Sequence, residues 1–213
     1  MKISISFLKS NYDLDSTISK INAINDDSII HVDILDGKYV EVEPTNLDKY
    51  INALEKASKP LDIHLMVNNP IEYINKLIPL KPSIITVHWD SLDDLFEVHK
   101  ILKENNIKMG LALNPNDDVY FINRYLDIID LVLIMSVFPG KGGQKFIAST
   151  PFKLEHLNRL KKEHNKDFLV EVDGGINDTT IKEVNKLVDL AVSGSYICCS
   201  DNYEERINNL KNA

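Results

Sequence analysis

The segment Leu131-Val132-Leu133-Ile134-Met135, an apolar stripe at Phe152, Leu154, Leu157 and Leu160 among Lys, Glu and Asn, and the run Phe168-Leu169-Val170-Glu171-Val172 together decide the fold. The first and last pieces have strand length and are almost continuously apolar, whereas the stretch between them has helical periodicity. Such strands read as buried on both faces, which is the mark of a parallel sheet whose strands are joined by crossover helices. The pattern extends in both directions. Apolar runs recur at Ile3–Phe7, Ile29–Val32, Leu61–Met66, Ile84–Val87, Met109–Leu113 and Leu190–Val192, and a second helical stripe passes through Leu92, Leu95, Phe96, Val98, His99 and Leu102. About eight strand-and-helix units in one chain predict a compact (β/α)8 barrel of the α/β class. A doubly wound open sheet that bound a dinucleotide would carry a Gly-rich fingerprint after an early strand, and none follows Ile3–Phe7. No linker or low-complexity tract divides the chain, so a single domain is expected over 1–213.

The chain has 213 residues, with 24 Lys+Arg against 32 Asp+Glu and a net charge of −8. An acidic chain is a poor general ligand for nucleic acid, because phosphate neutralisation needs clustered Lys and Arg. Only Cys198 and Cys199 occur; adjacent cysteines suit neither a disulfide nor a zinc motif, which points to a reducing compartment. No apolar leader precedes Asp13 and no run reaches membrane-spanning length, so a cytoplasmic protein without a membrane partner is expected. Both cysteines are read as buried packing at the last helix.

In a barrel the ends of the strands and the loops after them build the site. Here those places carry His31-Val32-Asp33-Ile34-Leu35-Asp36-Gly37, Asp62-Ile63-His64-Leu65-Met66 and Glu171-Val172-Asp173-Gly174-Gly175. His31 and Asp33 are two apart and face the same side of a strand, and His64 and Asp173 can reach the same axis from other strands. Each histidine alone could be a satisfied core residue and each aspartate a helix cap. Four such groups together are too costly to bury without a partner, and two imidazoles with two carboxylates suit a divalent metal: zinc first, with iron, manganese or cobalt as alternatives.

A second set reads as a phosphate grip: Pro139-Gly140-Lys141-Gly142-Gly143-Gln144, then Gly174-Gly175, then Ser193-Gly194-Ser195. Glycines let backbone N–H groups approach an anion, and barrels often bind phosphate beside their last two strands. Outside these sets, Trp89 and Asp90 read as solvated loop residues, and His99, His156 and His164 as residues of helix surfaces.

With these pieces in order, the chain resembles the ribulose-phosphate 3-epimerases from about Ile3 to the C-terminal helix. The similarity is carried by His31 to Gly37, Leu61 to Val67, Ala112-Leu113-Asn114-Pro115, Met135 to Phe146 and Val170 to Ile176. The resemblance implies that His31, Asp33, His64 and Asp173 hold the metal, that Asp33 and Asp173 are the acid/base pair, and that Ser6, His31 and His64 face the substrate. It sets Gly140, Lys141, Gly142, Gly143, Gly174, Gly175, Gly194 and Ser195 around the phosphate, with Lys141 either adding charge or simply solvated. It also implies a sugar phosphate as the partner and a homo-oligomer.

The chemistry fits. Inverting C3 of D-ribulose 5-phosphate to D-xylulose 5-phosphate removes a proton α to a carbonyl and returns one to the opposite face, so two acid/base groups must flank a planar 2,3-enediolate. A divalent ion would stabilise its charge, and Met66, Met135 and Leu35 would shield it from water. Departures from the family concern selectivity. Ile5 precedes Ser6 where proline is usual, Asn11 and Leu35 replace an aspartate and a methionine, and Lys38 to Asn46 replaces an aromatic-Val-Pro-Asn stretch. A hexulose 6-phosphate such as D-allulose 6-phosphate is the alternative substrate, and a non-catalytic phosphate-binding protein the remaining one. A lyase is set aside, because the Asp-x-Lys-x-x-Asp of related barrels is replaced by Asp62-Ile63-His64-Leu65-Met66-Val67.

Overall fold

The computed structural model describes residues 1–92 and 94–213. Eight parallel strands close into a barrel in chain order: β1 (Lys2–Ser6), β2 (Ile29–Leu35), β3 (Leu61–Met66), β4 (Ile84–His88), β5 (Lys108–Leu113), β6 (Leu131–Met135), β7 (Leu169–Asp173) and β8 (Leu190–Ser193), with β8 paired back to β1. Around it lie α1 (Leu14–Ala23), α2 (Leu47–Leu54), α3 (Pro70–Leu77), α4 (Leu95–Glu104), α5 (Thr150–Glu163), α6 (Ile181–Val184), α7 (Ser195–Cys198) and α8 (Tyr203–Lys211). This is the (β/α)8 barrel the sequence predicts.

Several strand ends shift by one residue from the reading of the sequence, β4 among them, which reaches His88 rather than Val87, and two elements differ by more. β2 continues to Leu35 rather than stopping at Val32, because its ladder with β3 runs on through Asp33 opposite His64 and Leu35 opposite Met66. The link from β5 to β6 contains a 3-10 helix, Val119–Tyr125, in place of an α-helix; its buried residues Val119, Ile122 and Tyr125 recur every third position, which aligns them on a helix of three residues per turn. The cysteines are also split. Cys198 is buried at the end of α7, whereas the following Cys199 is exposed, because that short helix ends and turns outward there.

The core has two compartments. Between strands and helices lie residues such as Ile30, Val32, Ile34, Val132, Ile134 and Leu154. Inside the barrel lie Ile29, Ile84, Ala112, Leu131, Leu133, Met135 and Leu190. Successive residues of one strand therefore enter different apolar layers, which is why β6 shows no alternation in sequence. Burying each large aliphatic chain contributes roughly 1.5–3 kcal/mol, enough for the inward polar positions of β1, β2, β3, β4 and β7 to be carried by the rest. At the closed end Lys211 of α8 pairs with Asp26 at 3.0 Å and Asp27 at 2.6 Å, fastening the last helix beside the start of β2. Among the described residues no helix is long and apolar enough to cross a membrane.

Candidate active site

Parallel register brings the polar inward positions of neighbouring strands together: Ser6 stands opposite His31, His31 opposite Asp62, and Asp33 opposite His64. Asp173 ends β7 at the same level, opposite Met135. Asp33 Oδ1 lies 3.4 Å from His31 Nε2 and 3.3 Å from His64 Nδ1, while its Oδ2 accepts a hydrogen bond from Ser6 Oγ at 2.9 Å. One ligand atom from each of His31, Asp33, His64 and Asp173 falls within 4.8 Å of the other three. All four expected metal ligands thus meet in one place.

The donor set fits a divalent cation on a further observation. His31 Nδ1 is tied to Asp62 Oδ2 at 2.7 Å, and the same oxygen accepts from Ser4 Oγ at 2.9 Å. This leaves His31 Nε2 buried with no hydrogen-bond partner, on the side of the ring that faces Asp33. A histidine whose rear nitrogen is held by a carboxylate while its front nitrogen is unpaired is the usual arrangement behind a metal ligand.

The charges are strongly coupled. Burial would raise Asp33, but the neighbouring imidazole of His31, with that of His64, outweighs it and holds the carboxyl well below the usual range. Asp173 goes the other way: burial, reinforced by the charge of Asp33, pushes it up to about 6. Burial would lower His31, yet the carboxylates of Asp62 and Asp33 raise it well above an ordinary imidazole. Beneath them Glu171 is held well above the carboxylate range by burial and by the charge of Asp62. Two carboxyls pushed apart in this way can act as base and acid on one substrate.

A cavity of about 600 Å³ opens above these groups, lined by Ser6, Asp33, Asp173, Met66 and Met135, and beyond them by Gly140 to Gly143, Gly174, Gly175, Gly194 and Ser195. The expected acid/base pair and the expected phosphate cradle therefore share one chamber, and Lys141 also lines it. Gly174 has φ +122°, and a Cβ there would lie 2.5 Å from Val137 Cγ2, so the backbone turns at the end of β7 only without a side chain. Leu35 is buried but does not line the chamber.

Several residues escaped the sequence reading. Asp62, His88 and Glu171 are buried and point inward with the site, and the two-residue spacings Asp62/His64, Thr86/His88 and Glu171/Asp173 were the signal. Lys9, in the loop after β1, lies over the glycine loop: a Cβ on Gly142 would sit 3.4 Å from Lys9 Cβ, and one on Gly143 3.2 Å from Lys9 Nζ. Nothing in the local pattern marks it. Trp89 is a correction: instead of being solvated it is half-buried, donates Nε1–H to Asp117 Oδ2 at 2.8 Å and packs its ring 4.3 Å from that of Phe121. Asp90 is exposed as expected, yet accepts from the Tyr39 hydroxyl at 2.9 Å. His164 is exposed, and His99 and His156 are half-buried on their helices.

Comparison with known proteins gives one consistent answer. Residues 2–198 match the model of the ribulose-phosphate 3 epimerase family. A ribulose-phosphate 3-epimerase of Helicobacter pylori (strain J99) is 36% identical over 216 residues, covering 100% of this chain and 97% of that protein. Those of Bacillus subtilis (strain 168) and Escherichia coli (strain K12) are 35% and 32% identical, covering 85% and 86% of this chain and 85% and 82% of theirs. Among solved structures, 3-hexulose-6-phosphate synthase from Salmonella typhimurium superposes with a TM-score of 0.70 at 14% identity, covering 100% of this chain and 97% of that one. N-(5'-phosphoribosyl)anthranilate isomerase from Pyrococcus furiosus does so at 0.63 and 18%, with 100% of both chains covered. At that identity the structural likeness speaks for the barrel alone.

Proposed function

Because the chain belongs to the ribulose-phosphate 3-epimerase family, we propose that it interconverts D-ribulose 5-phosphate and D-xylulose 5-phosphate by inversion at C3 through a 2,3-enediolate, as one domain over 1–213. The observation that carries this reading is the pair Asp33 and Asp173, brought together within 4.8 Å in the wall of the chamber that also holds the glycine cradle, with their acidities shifted in opposite directions. Asp33, ionised, takes the C3 proton; Asp173, the weaker acid, returns one to the opposite face of the planar intermediate, and the roles exchange in the reverse direction. Ser6 holds Asp33 Oδ2 from behind, and Met66 and Met135 keep the chamber wall apolar beside the intermediate. His31, Asp33, His64 and Asp173 would hold one divalent ion, zinc by preference with iron, manganese or cobalt also suited, which would supply Lewis-acid stabilisation of the negative charge that develops on the intermediate. Gly140 to Gly143, Gly174, Gly175, Gly194 and Ser195 hold the phosphate and so orient the sugar without taking part in the chemistry.

Lys9 adds a cation to those of Lys141 and Lys145, which line the same chamber. Its ammonium stands over Gly143 on the chamber side. Lys9→Gln is expected to raise KM for the sugar phosphate about two- to fivefold, as an exposed ion pair does, with kcat unchanged and the difference shrinking in high salt. Steady-state kinetics at two ionic strengths check this.

The test of the function is deuterium incorporation at C3 from heavy water, with ribulose 5-phosphate and allulose 6-phosphate compared on metal-loaded and chelated protein. After each turnover the two aspartates must exchange protons with solvent before returning to their starting states, so the label is expected in the pentulose. Exchange with the hexulose alone would reassign the substrate, and exchange with neither would favour a phosphate-binding protein or an enzyme of another substrate.

A further inference from the structure

Behind His31 stands a carboxylate; behind His64 stands another histidine. His64 Nε2 lies 2.9 Å from Nε2 of His88, the last residue of β4, and the two rings are 5.0 Å apart. One nitrogen must donate and the other accept. If Nδ1 of His64, which faces Asp33, gives its lone pair to a cation, the ring proton of His64 resides on Nε2, and His88 Nε2 must accept it. The two ligands are then fixed from opposite nitrogens: Asp62 holds Nδ1 of His31 so that Nε2 faces the centre, and His88 holds Nε2 of His64 so that Nδ1 does.

His88 is itself clamped by the unusual loop after Gly37. The Tyr39 ring packs 4.7 Å from the His88 ring at 36°, and its hydroxyl donates to Asp90 Oδ1 at 2.9 Å and accepts from Asn114 Nδ2 at 3.1 Å. One residue on, Val40 meets the phosphate loop, where a Cβ on Gly140 would be 3.1 Å from Val40 Cγ2. This clamp has an internal cost. His88 Nδ1 is buried without a partner, so packing alone would favour an apolar residue here.

We propose that His88 is a positioning residue that sets the tautomer and ring orientation of His64 by accepting its Nε2–H, and that Tyr39 holds His88 in place to do so. The inference rests on the reading of His64 as a metal ligand.

The test uses the full chain stripped of metal, with Co²⁺ as the probe: affinity by competition with a chelator, the visible absorption bands of bound Co²⁺, and melting of the metal-free protein. Losing an outer partner of a ligating histidine typically costs about 10- to 100-fold in affinity, and that loss is expected for His88→Leu, with altered Co²⁺ bands. The metal-free variant is expected to melt near the parent temperature, since the orphaned Nδ1 is gone while His64 Nε2 loses its partner; a merely structural role would lower melting strongly and leave the affinity of the folded protein for Co²⁺ unchanged. His88→Gln, whose amide oxygen can accept the same bond, is expected to recover most of the affinity. Parental affinity in His88→Leu, or a His88→Gln as weak as the leucine variant, would overturn the proposal. Tyr39→Leu removes the ring face and the hydroxyl anchor and is expected to show a smaller loss; should His88→Leu not fold, this variant decides, and parental affinity in it overturns the idea. His64→Ala separates the two readings. If it binds Co²⁺ as the parent does, the ligand assignment under the proposed function has failed; if it loses Co²⁺ while His88→Leu does not, only the positioning role has.

Discussion

Asp173→Asn is expected to lower turnover by roughly 10²- to 10⁴-fold, the range for removing a positioned acid/base group, while making the metal-free protein more stable at neutral pH. The amide keeps the shape of the carboxyl and leaves the glycine cradle alone, so inorganic phosphate should bind the variant nearly as it binds the parent. The stability gain follows from the sign of the Asp173 shift. Burial and the Asp33 charge raise it from 3.8 to about 6, so below pH 3.8 the group is protonated in both folded and unfolded chains and contributes nothing. Between pH 3.8 and 6 the unfolded chain ionises first, and stability of the metal-free protein falls; above pH 6 the penalty is constant. One pKa unit corresponds to about 1.4 kcal/mol, so the full penalty is on the order of 3 kcal/mol, and the asparagine variant escapes it. Denaturant melts of both metal-free proteins should converge near pH 4 and separate above pH 6. Turnover of the variant within tenfold of the parent would remove Asp173 from the acid/base pair.

Under the proposed function, chelation is expected to abolish turnover and to lower the melting temperature together, with both restored by adding a divalent ion back. The metal-free centre gathers Asp33, Asp173, His31 and His64 within 4.8 Å of one another, with Asp33 and Asp173 in repulsion and His31 Nε2 unpaired. A cation at a thousand times its dissociation constant adds about 4 kcal/mol to the folded state. At about 2–4 °C per kcal/mol for a chain of this size, the melting temperature should move by roughly 8–16 °C. Calorimetric scans of loaded, chelated and reloaded protein measure this. A chelated protein that melts with the loaded one, or turns over without the ion, would break the link between this cluster and the chemistry.

The barrel was legible because its strands are continuous apolar runs and its helices are striped, two periods that do not mimic each other. The four clustered groups were legible too, because His31 and Asp33 sit two apart at inward positions of β2 and because the family pattern names their partners on β3 and β7. His88 was hidden by one residue. Ending the fourth strand at Val87 concealed that Thr86 and His88 continue the inward series. Trp89 was misread because a lone aromatic after a strand carries no sign of the Asp117 carboxylate and Phe121 ring that receive it. The 3-10 link was hidden in a similar way, since apolar residues at Val119, Ile122 and Tyr125 suit either kind of helix until the path between β5 and β6 is known.

By itself the sequence determined which residue types lie along each strand and loop, and so the fold class, which follows from local periodicity; the candidate ligands and the glycine cradle were expected from residue chemistry at the strand ends, and the aspartate pair from the family resemblance. The tertiary structure alone decided what stands behind those groups. Asp62 behind His31, His88 behind His64, Tyr39 on His88 and Lys9 over Gly143 are contacts between segments 24 to 134 residues apart. Their formation depends on the register with which eight strands close, because a shift of one residue in the β2–β3 or β3–β4 ladder would turn an inward side chain outward and separate Asp62 from His31 or His88 from His64.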